Sequence, residues 1–150
     1  MIAWLIRGGT TIAGDTALGV RLLPILAGLV AGLVVMHGAR RLGGSGAALI
    51  AALIFALMPL SAAGLILATP DAPLFAAAAA CMSAVVRAIE ATARRHALLW
   101  WSVAGLALGL ALMSKYTAVL LALGVVAAVG ARRELRSELA APGPYVGTVL

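Results

Sequence analysis

Arg21, Asp71 and Lys115 are the residues whose types and positions could do chemistry, because each stands where a long apolar run begins or ends. No charged residue occurs from Leu42 to Pro70 or from Ala72 to Val86, so Asp71 is the single acid between two uncharged stretches. Lys115, flanked by Ser114 and Tyr116, is the one charged residue between Leu98 and Gly130. Ionisable groups at such places in an apolar chain are functional candidates by default. An arginine grips phosphate oxygens with a planar fork and a lysine adds a point charge. A carboxylate beside them orients a cation or accepts from a sugar hydroxyl. Two cations and an acid of this kind suit a phosphate or diphosphate carried on a lipid.

Each residue also has a plainer reading. Asp71 follows Thr69-Pro70 at a helix start, where a carboxylate caps free N–H groups and meets the favourable end of the dipole. Lys115 can snorkel from a tight turn and Arg21 can anchor a span at the interface. His37 reads as a headgroup or packing residue, since no second ligand stands at a helical spacing. Trp100 and Trp101 read as aromatic-belt residues.

The elements that position these residues follow from composition. Hydrophobic residues make up 64% of the 150 and charged residues 11%, and the mean hydropathy is +1.13. Soluble domains carry about 25% charged residues, so the chain is read as an all-α polytopic integral membrane helix bundle. The net charge of +6 does not point to nucleic acid. The Lys and Arg lie at the ends of apolar runs and form no stripe with interleaved aromatics. Cys81 is the single cysteine, which excludes an internal disulfide and a cysteine metal site and leaves a small packing residue. No metal or cofactor is implied. Neither a glycine loop before a lysine nor a nucleophile elbow is present.

In chain order, residues 1–18 give a short helix and connection, too short to span and suited to the extracytoplasmic interface. Residues 19–131 give a transmembrane bundle of about five spans, placed near 20–37, 47–67, 72–89, 98–113 and 117–131. Gly28 and Gly32 make a small-residue face, as do Ala76–Ala80 and the Gly105/Gly109 pair. Glu90 is expected to pair with Arg87 and Arg94 and so to extend its helix into water. As one helix, Leu98–Gly130 would be about 50 Å long against a hydrocarbon core of about 30 Å, so a break at Ser114-Lys115-Tyr116 is expected. Charge supports it: two crossings there put Arg132, Arg133 and Arg136 on the side of Arg40, Arg41, Arg87, Arg94 and Arg95. Arg7, Arg21, Asp71 and Lys115 then share the outer face. Residues 132–150 are read as a cytoplasmic loop and the truncated start of a further span.

Three segments occur in an order that carries a resemblance: Ala17-Leu18-Gly19-Val20-Arg21-Leu22-Leu23-Pro24, Ala68-Thr69-Pro70-Asp71-Ala72-Pro73-Leu74, and Gly105 through Leu112-Met113-Ser114-Lys115-Tyr116-Thr117. Together they resemble glycosyltransferase family 39, the dolichyl-phosphate-mannose protein mannosyltransferase and aminoarabinose transferase group. The resemblance implies the multi-span GT-C membrane fold in a bacterial inner membrane, with an extracytoplasmic active side. It implies a polyprenyl-phosphate sugar donor, a lipid, glycan or protein acceptor, and Arg21, Asp71, Lys115 and Tyr116 as substrate-binding residues. No catalytic residue is assigned, because the family's principal acid lies in a loop that would precede Met1. Asp15 does not replace it. Both ends read as cut, so the chain is expected to be an internal fragment, inactive alone. The rival reading is a small non-enzymatic membrane protein, a transporter fragment or a packing subunit. Transporter sites lie near the midplane, whereas these groups gather at one face.

Overall fold

The computed structural model describes residues 1–59, 68–131 and Pro144. Every regular element among them is helical: α1 (Ile2–Ala13), α2 (Ala17–Leu57), α3 (Asp71–Glu90), α4 (Arg94–Ser114), a 3-10 turn (Tyr116–Ala118) and α5 (Val119–Ala131). A helix satisfies its backbone polar groups within one segment, which an apolar chain in lipid requires. By length and composition α2, α3 and α4 can each cross a membrane, and Tyr116–Ala131 is a shorter apolar stretch. The all-α membrane bundle read from the sequence is the fold observed. The expected spans near 47–67 and beyond 131 lie partly outside the described residues.

α1 ends where Gly14 takes φ +70, a conformation that glycine adopts without steric cost. Thr16 then caps α2, its Oγ1 accepting from Gly19 N at 3.0 Å. The reversal lays α1 on the first turns of α2, with Gly8 beside Leu23 and Gly9 against the Gly19 backbone. A Cβ on Gly9 would overlap Gly19 O, and one on Gly19 would overlap Gly14 O.

α2 would be about 60 Å long if straight, but Gly44 breaks it with φ 77 and ψ −166. The Phe55 ring lies 3.2 Å from the place of a Cβ on Gly32. On a straight helix these positions would be about 35 Å apart. The limb 45–57 therefore folds back along the limb 17–43. Gly44 is the one non-helical residue inside this helix, so the reversal is made at a single residue.

α3 and α4 form an antiparallel pair closed by small residues. Ala77, Cys81, Ala84 and Ala88 of α3 are buried, as are Trp101, Ala104, Ala107 and Ala111 of α4. Their three- and four-residue spacing puts each set on one stripe, and small side chains allow the backbones to approach. Trp101, read from the sequence as an interfacial residue, is instead part of this core, at 6% exposure. α3 stops at Glu90 because Ala91 is extended, with φ −71 and ψ 118. Glu90 pairs with Arg41 Nη1 at 3.3 Å rather than with Arg87 or Arg94, which corrects the expected helix extension.

α4 ends at Ser114, and Lys115 is extended, with φ −157 and ψ 130. After the 3-10 turn, α5 returns along α4. Leu121 and Val125 pack on the cluster of Cys81, Trp101 and Ala104, and an apolar cavity of about 110 Å³ lies between them and Val129.

Contacts between α2 and α3 fix which helix ends coincide. His37 meets Arg87, 50 residues on, and Arg41 meets Glu90, 49 residues on. The limb 17–43 and α3 therefore run parallel, and the same offset places Arg21 level with Asp71. The start of α2, the start of α3 and the end of α4 form one end of the bundle. Gly44, Glu90 and Arg94 belong to the other.

Candidate functional site

Asp71 is the first residue of α3, and its carboxylate takes a partner from another helix. Lys115 Nζ donates to Asp71 Oδ1 at 2.9 Å, with the lysine side chain 42% exposed and the aspartate 24%. No side-chain capping bond closes the start of α3, so the capping reading of Asp71 describes its position in the first turn but not its contact. The break after Ser114 produces this geometry. A helix continued through Lys115 would carry the ammonium around and past the α3 terminus, whereas the extended backbone there leaves it beside Asp71.

The surroundings of the pair come from three elements. Ser114 Oγ donates to Leu110 O at 3.0 Å and lies 3.1 Å from Met1 Sδ, which brings the residue preceding α1 to the end of α4. Thr69 Oγ1, two residues before Asp71, is buried with no hydrogen-bond partner among the described residues. A buried hydroxyl left unpaired costs about 1–3 kcal/mol. Nothing in the sequence singled Thr69 out beyond its place in the segment around Asp71, because its burial depends on how that segment packs. Tyr116 is 83% exposed and stands directly after Lys115. Arg21 is exposed and makes no side-chain hydrogen bond or ion pair among the described residues.

The structure thus joins Asp71 to Lys115, sets Tyr116 beside them and puts Arg21 at the same level without contact. Chemically, this end offers the guanidinium of Arg21, with that of Arg7 on α1, one ammonium shared with a carboxylate, and the Tyr116 hydroxyl, while the Thr69 hydroxyl is buried. Among the described residues no group of His, Cys, Asp and Glu has the makings of a metal site.

An apolar helix bundle with ionisable groups confined to its helix ends is a multi-pass membrane protein. The family model for dolichyl-phosphate-mannose-protein mannosyltransferase matches residues 1–150. The chain belongs to that family, which makes it a membrane glycosyltransferase chain. No curated protein matches it, and no solved structure does.

Proposed function

We propose that the Arg21–Asp71–Lys115 end of the bundle holds the phosphate of a polyprenyl-phosphate sugar, from which the sugar passes to a lipid, glycan or protein acceptor. The observation that carries the reading is the 2.9 Å Lys115–Asp71 pair at the level of an exposed Arg21 with no partner among the described residues. In the transfer an acceptor hydroxyl oxygen attacks the anomeric carbon and inverts it. The bond from that carbon to the phosphate oxygen breaks, its electron pair stays on the phosphate, and the acceptor proton goes to a base. Arg21 and Lys115 stabilise the charge that develops on the departing phosphate. Asp71 holds the ammonium in place and accepts from a sugar hydroxyl, with Tyr116 at the rim.

None of the described acids is well placed to serve as the base. Asp71 is engaged by Lys115, Glu90 is at the far end on Arg41, and Asp15 lies in the connection between α1 and α2. The described residues are therefore expected to bind donor without supplying the base for transfer. The site end is assigned to the extracytoplasmic face of a bacterial inner membrane. The support is charge: Arg40, Arg41, Arg87, Arg94 and Arg95 lie toward the other end, as cytoplasmic residues would.

Titration with polyprenyl monophosphate tests the site. Arg21→Gln and Lys115→Gln should each weaken binding about tenfold to a hundredfold, the worth of a hydrogen bond to a charged group. Wild-type affinity in both variants would remove the assignment.

A further inference from the structure

A second polar cluster, at the opposite end, has no part in the donor reading. Arg87 Nη2 lies 3.2 Å from His37 Nε2. A guanidinium only donates, so Nε2 is the acceptor. The same guanidinium lies 4.6 Å over the Trp100 ring. Neither partner is an acid, so the charge of Arg87 is not neutralised, whereas Arg41 is matched by Glu90. Arg40, Arg94 and Arg95, at the same end, make no ion pair among the described residues.

From this cluster a groove of about 600 Å³ runs toward the middle of the bundle, past Trp100, Val103, Ala80, Leu33 and Val30. From His37 to Val30 it extends about 10 Å along α2, at 1.5 Å per residue. Its walls are apolar, and its polar groups, Ser83 included, gather toward the Arg87 end. Val30 and Leu33 are 51% and 60% exposed, so the described residues leave the groove open. A slot that is apolar along its length and cationic at its mouth has the chemistry of one lipid, acyl chain inside and anionic head at the rim.

We propose that this groove binds a single anionic phospholipid, with an acyl chain between α2, α3 and α4 and its phosphate held by Arg87 and His37. The surrounding charge selects an anionic head over a zwitterionic one. Among the described residues five arginines stand at this end against Glu90, and they would repel the ammonium of phosphatidylcholine while attracting a net negative headgroup. The site is separate from the donor end: Arg87 is about 24 Å along α3 from Asp71 at 1.5 Å per residue.

Native mass spectrometry of the 150-residue chain, released from non-ionic detergent with equimolar phosphatidylglycerol and phosphatidylcholine, tests this. The wild type should retain one phosphatidylglycerol about tenfold in preference to phosphatidylcholine. Arg87→Gln should show a clearly smaller preference, because the phosphate contact is lost while the surrounding arginines remain, and Arg7→Gln, at the other end, should keep the full preference. Equal retention by the wild type, or an undiminished preference in folded Arg87→Gln, would overturn the proposal. A second measurement needs no variant at Arg87. Phosphatidylglycerol brominated on its acyl chain should quench wild-type tryptophan fluorescence, and Trp100→Phe should lose most of that quenching. Unchanged quenching in Trp100→Phe would place the lipid elsewhere. Glycerol phosphate in excess should fail to displace the lipid; displacement would mean that the head alone is recognised and would overturn the acyl groove.

Discussion

Lys115 and Asp71 are 44 residues apart in the chain and 2.9 Å apart in space, and two separate breaks bring them together. One is the start of α3 after Thr69-Pro70, and the other is the extended backbone at Lys115 that ends α4. Both groups are partly exposed, so their attraction adds little to stability. A double-mutant cycle with Asp71→Asn and Lys115→Met, read from unfolding in mixed micelles, should give a coupling of at most about 1 kcal/mol. A coupling several times larger would mean that the pair is a structural brace, and the binding reading would lose its force.

The donor reading predicts a different outcome for ligand. With polyprenyl monophosphate, Asp71→Asn should weaken binding less than Lys115→Gln does, because the ammonium is still present and the Asn amide oxygen can still accept from it. Isothermal titration in detergent orders the variants. A larger loss in Asp71→Asn would assign the phosphate contact to the wrong member of the pair.

Tyr116 should report the sidedness. A Tyr116→Cys variant in intact cells is expected to react with a membrane-impermeant maleimide from outside. Cys81, at 3% exposure, should stay unlabelled in the parent chain. Labelling only after the cells are opened would reverse the orientation.

The seam between α3 and α4 leaves no room for growth. Ala111 is fully buried and Ala84 is 1% exposed, so Ala84→Leu or Ala111→Leu should destabilise by about 1–3 kcal/mol. Leu106→Ala, on a side chain 53% exposed, should change stability by less than about 0.5 kcal/mol. Unfolding titrations in mixed micelles separate the two cases.

Gly9 and Gly19 make the tightest helix contact near the start of the chain. Gly9→Ala should push α1 off α2, since its Cβ would overlap the Gly19 carbonyl oxygen. Limited proteolysis should then cut the 14–16 connection, which is expected to resist in the wild type.

Much of this was legible in the sequence, for reasons that differ by residue. The helical class followed from uncharged runs too long to be anything else. Asp71 and Lys115 stood out because a charge in such a run is costly wherever it is not at an end. Their contact was not legible, because it depends on the rotation of α3 against α4. The partners of Glu90 show the same limit. Arg87 and Arg94 are near it in sequence, yet the helix ends at Glu90 and Arg41 arrives from α2. Trp101 was misread because position in a run gives depth and says nothing of facing. The near-complete burial of Ala84 and Ala111 was not legible, since the small-residue faces read from the sequence were Gly28/Gly32, Ala76–Ala80 and Gly105/Gly109.

That alanine surface has a consequence for motion. A leucine interface can absorb a displacement by changing rotamers, but an alanine has no side-chain torsion to adjust and loses no side-chain entropy on packing. Sliding α3 along α4 would therefore have to unseat whole backbones, and the hairpin is expected to move as one stiff lever. Asp71 and Lys115, at its tip, keep their spacing as the lever tilts. Arg21 rides on a different helix, so any widening of this end for an incoming headgroup would be read as Arg21 moving against a fixed pair. Distance measurements from position 21 to positions 71 and 115 should then vary together, while the distance from 71 to 115 holds still.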